Sequence, residues 1–265
     1  MKKNLLIFLI TCGIIFSGCD ILNNRSDIKY NSQSIKNLIV KAIKGDKRSN
    51  DLLSGLIDSQ LPLTAKYNQL TVDSLNTNNG RLIYFALLTF PNPLYNRFAV
   101  YNKNLRAYLI DKSLNGYVEY KIDSTNNKKL IELDENFDSK DVLNIRRLSL
   151  YQIFDTTANL VFRNFTELKT PDNDFFQNIS EISEYRIKTV IGSSSNSAIF
   201  NKSDIFNWDT NSRKYVSFDS LFDKFVFNFI DDFKNNPVRP EITVNKSAMN
   251  STAVDRGVNA VKKHI

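Results

Sequence analysis

Most nucleophilic and acid–base chemistry needs a placed imidazole, and this chain of 265 residues has one histidine, His264, beside its end. A Ser-His-Asp or Cys-His arrangement is therefore excluded. The two cysteines, Cys12 and Cys19, both lie near the start, so zinc sites built from Cys and His are excluded too. No G-x-x-x-x-G-K-[ST], G-x-G-x-x-G or G-x-S-x-G run occurs. The usual phosphate cradles and the nucleophile elbow are thus missing, and no cofactor is expected. Carboxylates survive this inventory. A glycoside hydrolase needs two of them about 5–10 Å apart, one with a raised pKa. The candidates are Asp134, Glu135 and Asp138, then Asp172 and Asp174, then Asp231 and Asp232. All fall in expected turns or on helix surfaces, where solvated charge is the ordinary reading. Asp134–Asp141 and Asp172–Asp174 could offer oxygen ligands to Ca²⁺, but neither has the glycine and terminal glutamate of an EF-hand loop, and no metal is expected.

Aromatic side chains are the other source of binding chemistry. Trp208 falls near an expected hairpin tip with Asn207, Asp209 and Tyr215 close by. An exposed indole flanked by amide and acid could stack on a sugar or anchor an interface. The competing reading places Phe206 and Trp208 on one strand face, packed in the core.

The N-terminus carries a different kind of signal. Lys2 and Lys3 precede an apolar run from Leu5 to Phe16, followed by Ser17, Gly18 and Cys19. Twelve residues of helix reach about 18 Å, short of the ~30 Å hydrocarbon core, which fits a signal peptide and not a spanning helix. Phe16-Ser17-Gly18-Cys19 resembles the lipobox of bacterial lipoproteins. The resemblance covers residues 1–19 only. It implies cleavage after Gly18, lipidation (palmitate among the acyl chains) of Cys19, and a domain held outside the cytoplasm on the bacterial cell envelope. Several acyl chains, at about 0.8 kcal/mol per buried CH₂, would make that anchor permanent. By the same reading Cys12 leaves with the peptide, so the mature chain has no free thiol and no intramolecular disulfide. Loss of Lys2 and Lys3 lowers the formal charge from +7 to +5. Acidic and basic residues alternate without a basic stripe, which argues against nucleic-acid binding.

The elements expected to position these residues follow from periodicity. Residues 20–33 read as a polar tether. Ile35, Leu38, Ile39, Ala42 and Ile43 repeat at helical spacing, with Ser34 as N-cap and Gly45 just past the end. A second helix is expected over 50–57, burying Leu52, Leu53, Leu56 and Ile57, to complete a helical hairpin. Strands are expected at 81–90, 97–102, 105–111, 117–122, 128–133, 143–153 and 157–165. Asn115-Gly116 reads as a hairpin and Ser124–Asn127 as a second turn. A helix over 172–183 precedes strands at 184–191, 197–206 and 213–218, the last two joined by an Asp209–Ser212 turn. Phe222, Phe225, Phe229 and Phe233 give a helix capped by Asp219 or Ser220, although Phe225, Phe227 and Phe229 also alternate as in a strand.

The expected organisation is a signal peptide (1–18), a lipidated Cys19 with its tether (19–33), one domain (34–237) and a mobile tail (238–265). The domain is expected to be α+β, a largely antiparallel meander with an N-terminal helical hairpin and a C-terminal helix. The function expected first is a non-enzymatic, lipid-anchored envelope protein with a membrane attachment and an envelope protein partner. A carbohydrate- or solute-binding lipoprotein comes second, and a carboxylate-only glycoside hydrolase third.

Overall fold

The computed structural model describes residues 29–125, 128–139, 142–171, 174–194 and 202–227. Cys19 with the expected signal segment, Asp141, Asp172, Asp231, Asp232, residues 238–265 read as a tail, and His264 among them, lie outside the described residues. The architecture is dominated by antiparallel sheet. Twelve described strands form a four-stranded meander, β1 to β4, and an eight-stranded meander, β5 to β12. The small sheet comprises β1 (Gln69–Asn76), β2 (Leu82–Thr89), β3 (Arg97–Asn102) and β4 (Ala107–Asp111). The large one runs through β5 (Tyr117–Thr125), β6 (Lys128–Ser139), β7 (Val142–Ile153), β8 (Ala158–Lys169), β9 (Asp174–Ile182), β10 (Arg186–Ser193), β11 (Lys202–Asp209) and β12 (Lys214–Val216).

Helix α1 (Ser32–Ile43) begins three residues earlier than expected, with Ser34 inside it and not at its N-cap. Asn31 is its N-cap and Ser34 sits at N3, and the two side chains close a reciprocal capping box. The folded part therefore starts inside the expected tether, and Tyr84 Oη donates to the Tyr30 carbonyl at 2.7 Å. Helix α2 (Lys47–Leu52) is shorter than expected. Ser54 and Gly55 both take positive φ and end it, and Leu52 is exposed instead of buried. Leu53, Leu56 and Ile57 still reach the core through the following loop, which the Asn50 amide pins by bonding both the N–H and the C=O of Ile57.

Strand β2 explains its own continuous apolar run. Tyr84, Ala86 and Leu88 pack on the helical hairpin, while Ile83, Phe85 and Leu87 pack on the large sheet with Val118, Ile131, Leu133 and Tyr151. A strand covered on both faces needs no polar alternation. The result is three layers over this half of the molecule: helices, small sheet, large sheet.

Two further expectations are corrected here. Asn115-Gly116 does not close a hairpin, because β4 and β5 belong to different sheets and do not pair. The segment is the buried passage between the sheets, with the Asn115 N–H bound by the Glu135 carboxylate at 2.6 Å. Gly116 has φ 51°, and a Cβ there would collide with the Asn136 carbonyl and the Phe137 side chain. The helix expected over 172–183 is strand β9. Phe175 and Gln177 are buried and Ile179 half-buried on alternate positions, and β9 pairs with β10 from Phe175 to Ile182. Asn178 and Ser180 favour helix weakly, so sheet pairing decides the conformation.

Beyond β8 the large sheet leaves the cover of the small one and coils. Lys128 Nζ, at the start of β6, reaches Tyr215 Oη on β12 at 3.4 Å, and β12 lies against β8. Strand β9 pairs with β8 only from Glu167 to Lys169, so most of that edge of β8 has no strand beside it among the described residues. Helix α3 (Leu221–Phe227) fills part of the gap and packs Phe222, Phe225 and Val226 on Ile145, Phe165 and Phe175. This helix agrees with the expected one as far as Phe227; Phe229 and Phe233 lie outside the described residues.

Candidate functional site

The expected Trp208 group does not form an open site. Trp208 is half-buried and pairs across the strands with Tyr215, ring centroids 5.0 Å apart in edge-on contact. The Lys128 ammonium sits over both rings, 5.3 Å from that of Trp208. Tyr215 Oη donates to the carbonyls of Ser183 or Glu184. Asp209 accepts from the N–H groups of Asn211 and Ser212 and from the Ser212 hydroxyl, which is the work of a turn, and these bonds hold its carboxyl below the usual range. Asn207 is exposed on the other face of β11. The group is a packed corner, with Phe206 buried beneath it.

The carboxylate candidates are likewise engaged. Asp134 and Glu135 are consecutive in β6 and face opposite sides. Asp134 pairs with Arg146, and Glu135 is fully buried against Arg147. Asp174 pairs with Lys169 at 3.6 Å, and Asp138 is exposed. Among the described residues no group of three His, Cys, Asp or Glu side chains is placed to hold a metal, and no helix is long and apolar enough to cross a membrane.

The polar chemistry of the interior is divided by β8. On the face toward the small sheet, Arg163 donates to Asp111 at 2.6 Å, to Tyr151 Oη at 2.7 Å and to Ser149 Oγ at 2.8 Å, and also bonds Ser113. Beside it Arg147 meets Glu135 through two bonds, 2.9 and 2.7 Å, and donates to the Ser113 carbonyl. Burial works to raise the Asp111 carboxyl, but Arg163 and the hydroxyls of Ser113 and Tyr151 outweigh it and hold that group well below the usual carboxylate range. Burial, with Asp111 beside it, keeps the Tyr151 phenol neutral far above its ordinary value.

The other face carries Asn164, paired in register with Leu148 and two residues from Phe162. It is 1% exposed, and neither its Oδ1 nor its Nδ2 has a hydrogen-bond partner among the described residues. Asn164 stands on the wall of a cavity of about 300 Å³ enclosed by β8, β12 and the start of α3. Phe162, Phe206 and Tyr215 supply apolar walls, and Asp223 and Lys214 further polar groups. Phe218, 97% exposed, stands at its rim.

Asp223 belongs to the local solution of an edge problem. Where β8 has left β9, the Phe165 N–H would have no partner, and Asp223 accepts it at 2.8 Å. The Gln177 amide takes the Phe165 carbonyl at 3.0 Å. Burial pushes the Asp223 carboxyl up to about 8, with Asp204 adding repulsion and Arg147 only partly opposing it. At neutral pH Asp223 is therefore mostly a protonated acid, able to donate as well as accept. The cavity wall thus presents an amide whose two polar atoms have no described partner and a mostly protonated carboxyl, with Lys214 and the Lys224–Asp219 pair also among its lining residues. Both wall guanidinium groups, those of Arg147 and Arg163, already face buried carboxylates.

Of the residues expected to bind, only Tyr215 lines this cavity; Trp208 backs it. Asn164, Asp223 and Phe218 were not expected. Phe162 and Asn164 occupy successive core-facing positions of β8, so an amide in that row was the one available signal. No protein-family model matches the chain, and no curated protein or solved structure matches it.

Proposed function

We propose that this is a lipid-anchored cell-envelope protein whose folded part is a non-enzymatic binding domain, and that it holds a small uncharged polar solute in the cavity beside β8. The anchor rests on the lipobox-like residues ending at Cys19. The single observation that carries the binding reading is Asn164, a deeply buried amide on a cavity wall whose two polar atoms have no partner among the described residues. Such a group costs ~1–3 kcal/mol of stability when its bonds go unmade, and unlike the other unpartnered buried atoms of Gln69, Thr89, Arg97 and Thr157 this one lies on a cavity where a ligand could complete it. The volume is at the small end of the ~300–1,000 Å³ typical of ligand pockets, so the solute is about one ring in size. This favours the solute-binding expectation over the protein-partner one, because the chemistry converges inside a cavity.

The test is thermal unfolding of the full chain in detergent against a panel of neutral small solutes (monosaccharides, nucleosides, polyols and cyclic amides). A rise in melting temperature for one class, absent in Asn164→Leu, supports the reading. A flat response across the panel counts against it. Incorporation of labelled palmitate that disappears in Cys19→Ser supports the anchor, and unlabelled wild-type protein would remove it.

A further inference from the structure

The cavity reading leaves the ligand's chemistry open, and its walls narrow it. We propose that the cavity takes a single neutral saccharide residue, its hydroxyl edge bonded by Asn164 and Asp223 and its apolar face turned to the aromatic side chains of Tyr215 and Phe218. This rests on the solute-binding reading above.

Three observations carry it. First, the wall presents donors and acceptors at adjacent groups. Asn164 offers an N–H pair and a carbonyl, neither with a partner among the described residues, and Asp223 offers the oxygen left after it accepts the Phe165 N–H. A ligand able to donate and accept at adjacent atoms satisfies both, which is what vicinal hydroxyls do. Second, most of the lining cations that could recruit an anion are already paired: Arg147 with Glu135, Arg163 with Asp111 and Lys224 with Asp219, which leaves Lys214 on β12 as the cation the glucuronate probe tests. Third, the walls are aromatic. Phe162 and Phe206 meet edge to face with centroids 5.0 Å apart, Tyr215 is buttressed by Trp208, and the Phe218 ring stands almost wholly in solvent at the rim. The C–H face of a sugar ring is the flat apolar surface that would complement an exposed aromatic ring at the rim of a polar cavity.

Trp208 is the sole tryptophan of the chain and touches Tyr215, so its emission reports on the cavity wall. The experiment titrates the full chain in detergent with glucose, galactose, N-acetylglucosamine and their oligomers, with glucuronate and uridine as contrasting probes, following Trp208 fluorescence and calorimetric heat. The expected result is saturable binding of at least one neutral sugar. It should weaken at least about tenfold in Asn164→Leu, the loss of two ligand bonds, and several-fold in Phe218→Ala. Phe218 is exposed, so its removal does not threaten the fold, and the second variant stays informative if the first unfolds. Binding of glucuronate alone overturns the neutral class, and binding of uridine alone overturns the saccharide class; in both cases an Asn164-dependent cavity site survives. Sugar binding unchanged in both variants places the site elsewhere and overturns the proposal. No binding of any probe, together with no thermal response to the wider panel, overturns this proposal and the solute-binding reading together.

Discussion

Arg163 and Asn164 are neighbours in β8, and both side chains are largely withdrawn from solvent, yet they live under opposite rules. Arg163 faces the small sheet and is saturated, bonding Asp111, Ser113, Ser149 and Tyr151. Asn164 faces the cavity and bonds nothing described. A buried guanidinium is tolerable only when paired, and here the carboxylates of Asp111 and Glu135 do so inside a layer closed by two sheets. A buried neutral amide costs less when unpaired, so it can be kept open for a ligand. The comparison teaches where along β8 polarity serves architecture and where it is left available: the Arg163 network between the sheets is satisfied, and the Asn164 amide beside the cavity is not.

The sharpest way to break the comparison is to remove a partner on the saturated side. Glu135→Leu leaves Arg147 buried without its carboxylate, and the unfolding free energy should fall by ~3–5 kcal/mol in urea titrations. A loss below about 1 kcal/mol would mean that this network is not what joins the sheets. Acid should act on the same side. Asp111 is held below the usual value of 3.8, so its stabilisation is present above about pH 4 and is lost as pH falls through its folded-state pKa. Stability measured in the acid limb should drop, and Asp111→Asn should remove part of that drop while lowering stability at neutral pH.

The cavity side should show the opposite slope. Asp223 in the folded chain keeps its proton to about 8, whereas the unfolded chain releases it near 3.8. Its contribution to stability therefore declines as pH rises from about 4 to about 8. Asp223→Asn keeps an acceptor for the Phe165 N–H and should flatten that part of the pH profile; an unchanged profile would show that Asp223 is not held neutral. The smallest effect belongs to Phe218→Ala. With 97% of the residue exposed, its removal should shift stability by less than ~0.5 kcal/mol in the absence of ligand. A larger loss would make Phe218 a structural residue and not a rim for a ligand.

Much of the strand order was legible because period-two patterning and turn residues are local. Residues 97–102 match β3, and Asp209–Ser212 does form the turn before β12. What was not legible was set by partners distant in sequence. The meander divides into two sheets at Asn115-Gly116 because Glu135, 20 residues later, captures the Asn115 N–H. Strand β9 defeats the helical reading of 172–183 through its ladder with β10. The β1 strand went unassigned, since Val72 and Ser74 are only half-buried and the local pattern is weak. For the site, composition argued against histidine and cysteine chemistry and the sequence named Tyr215 among its binding candidates, while its reading of Phe206 and Trp208 on one packed strand face is the arrangement found, with Lys128, 80 residues away, over the indole. Asn164 and Asp223 meet only because the large sheet coils and splits, and no spacing in the sequence encodes that.

The most direct test of this contrast is the stability of Asn164→Leu without ligand. An amide kept open for binding weakens the free protein, so replacing it with an apolar side chain of similar size should leave the unfolding free energy equal or raise it by ~1–2 kcal/mol. A fall of 2 kcal/mol or more, on the order of losing a satisfied buried polar group, would show that Asn164 is structural like Arg163 and would contradict the account.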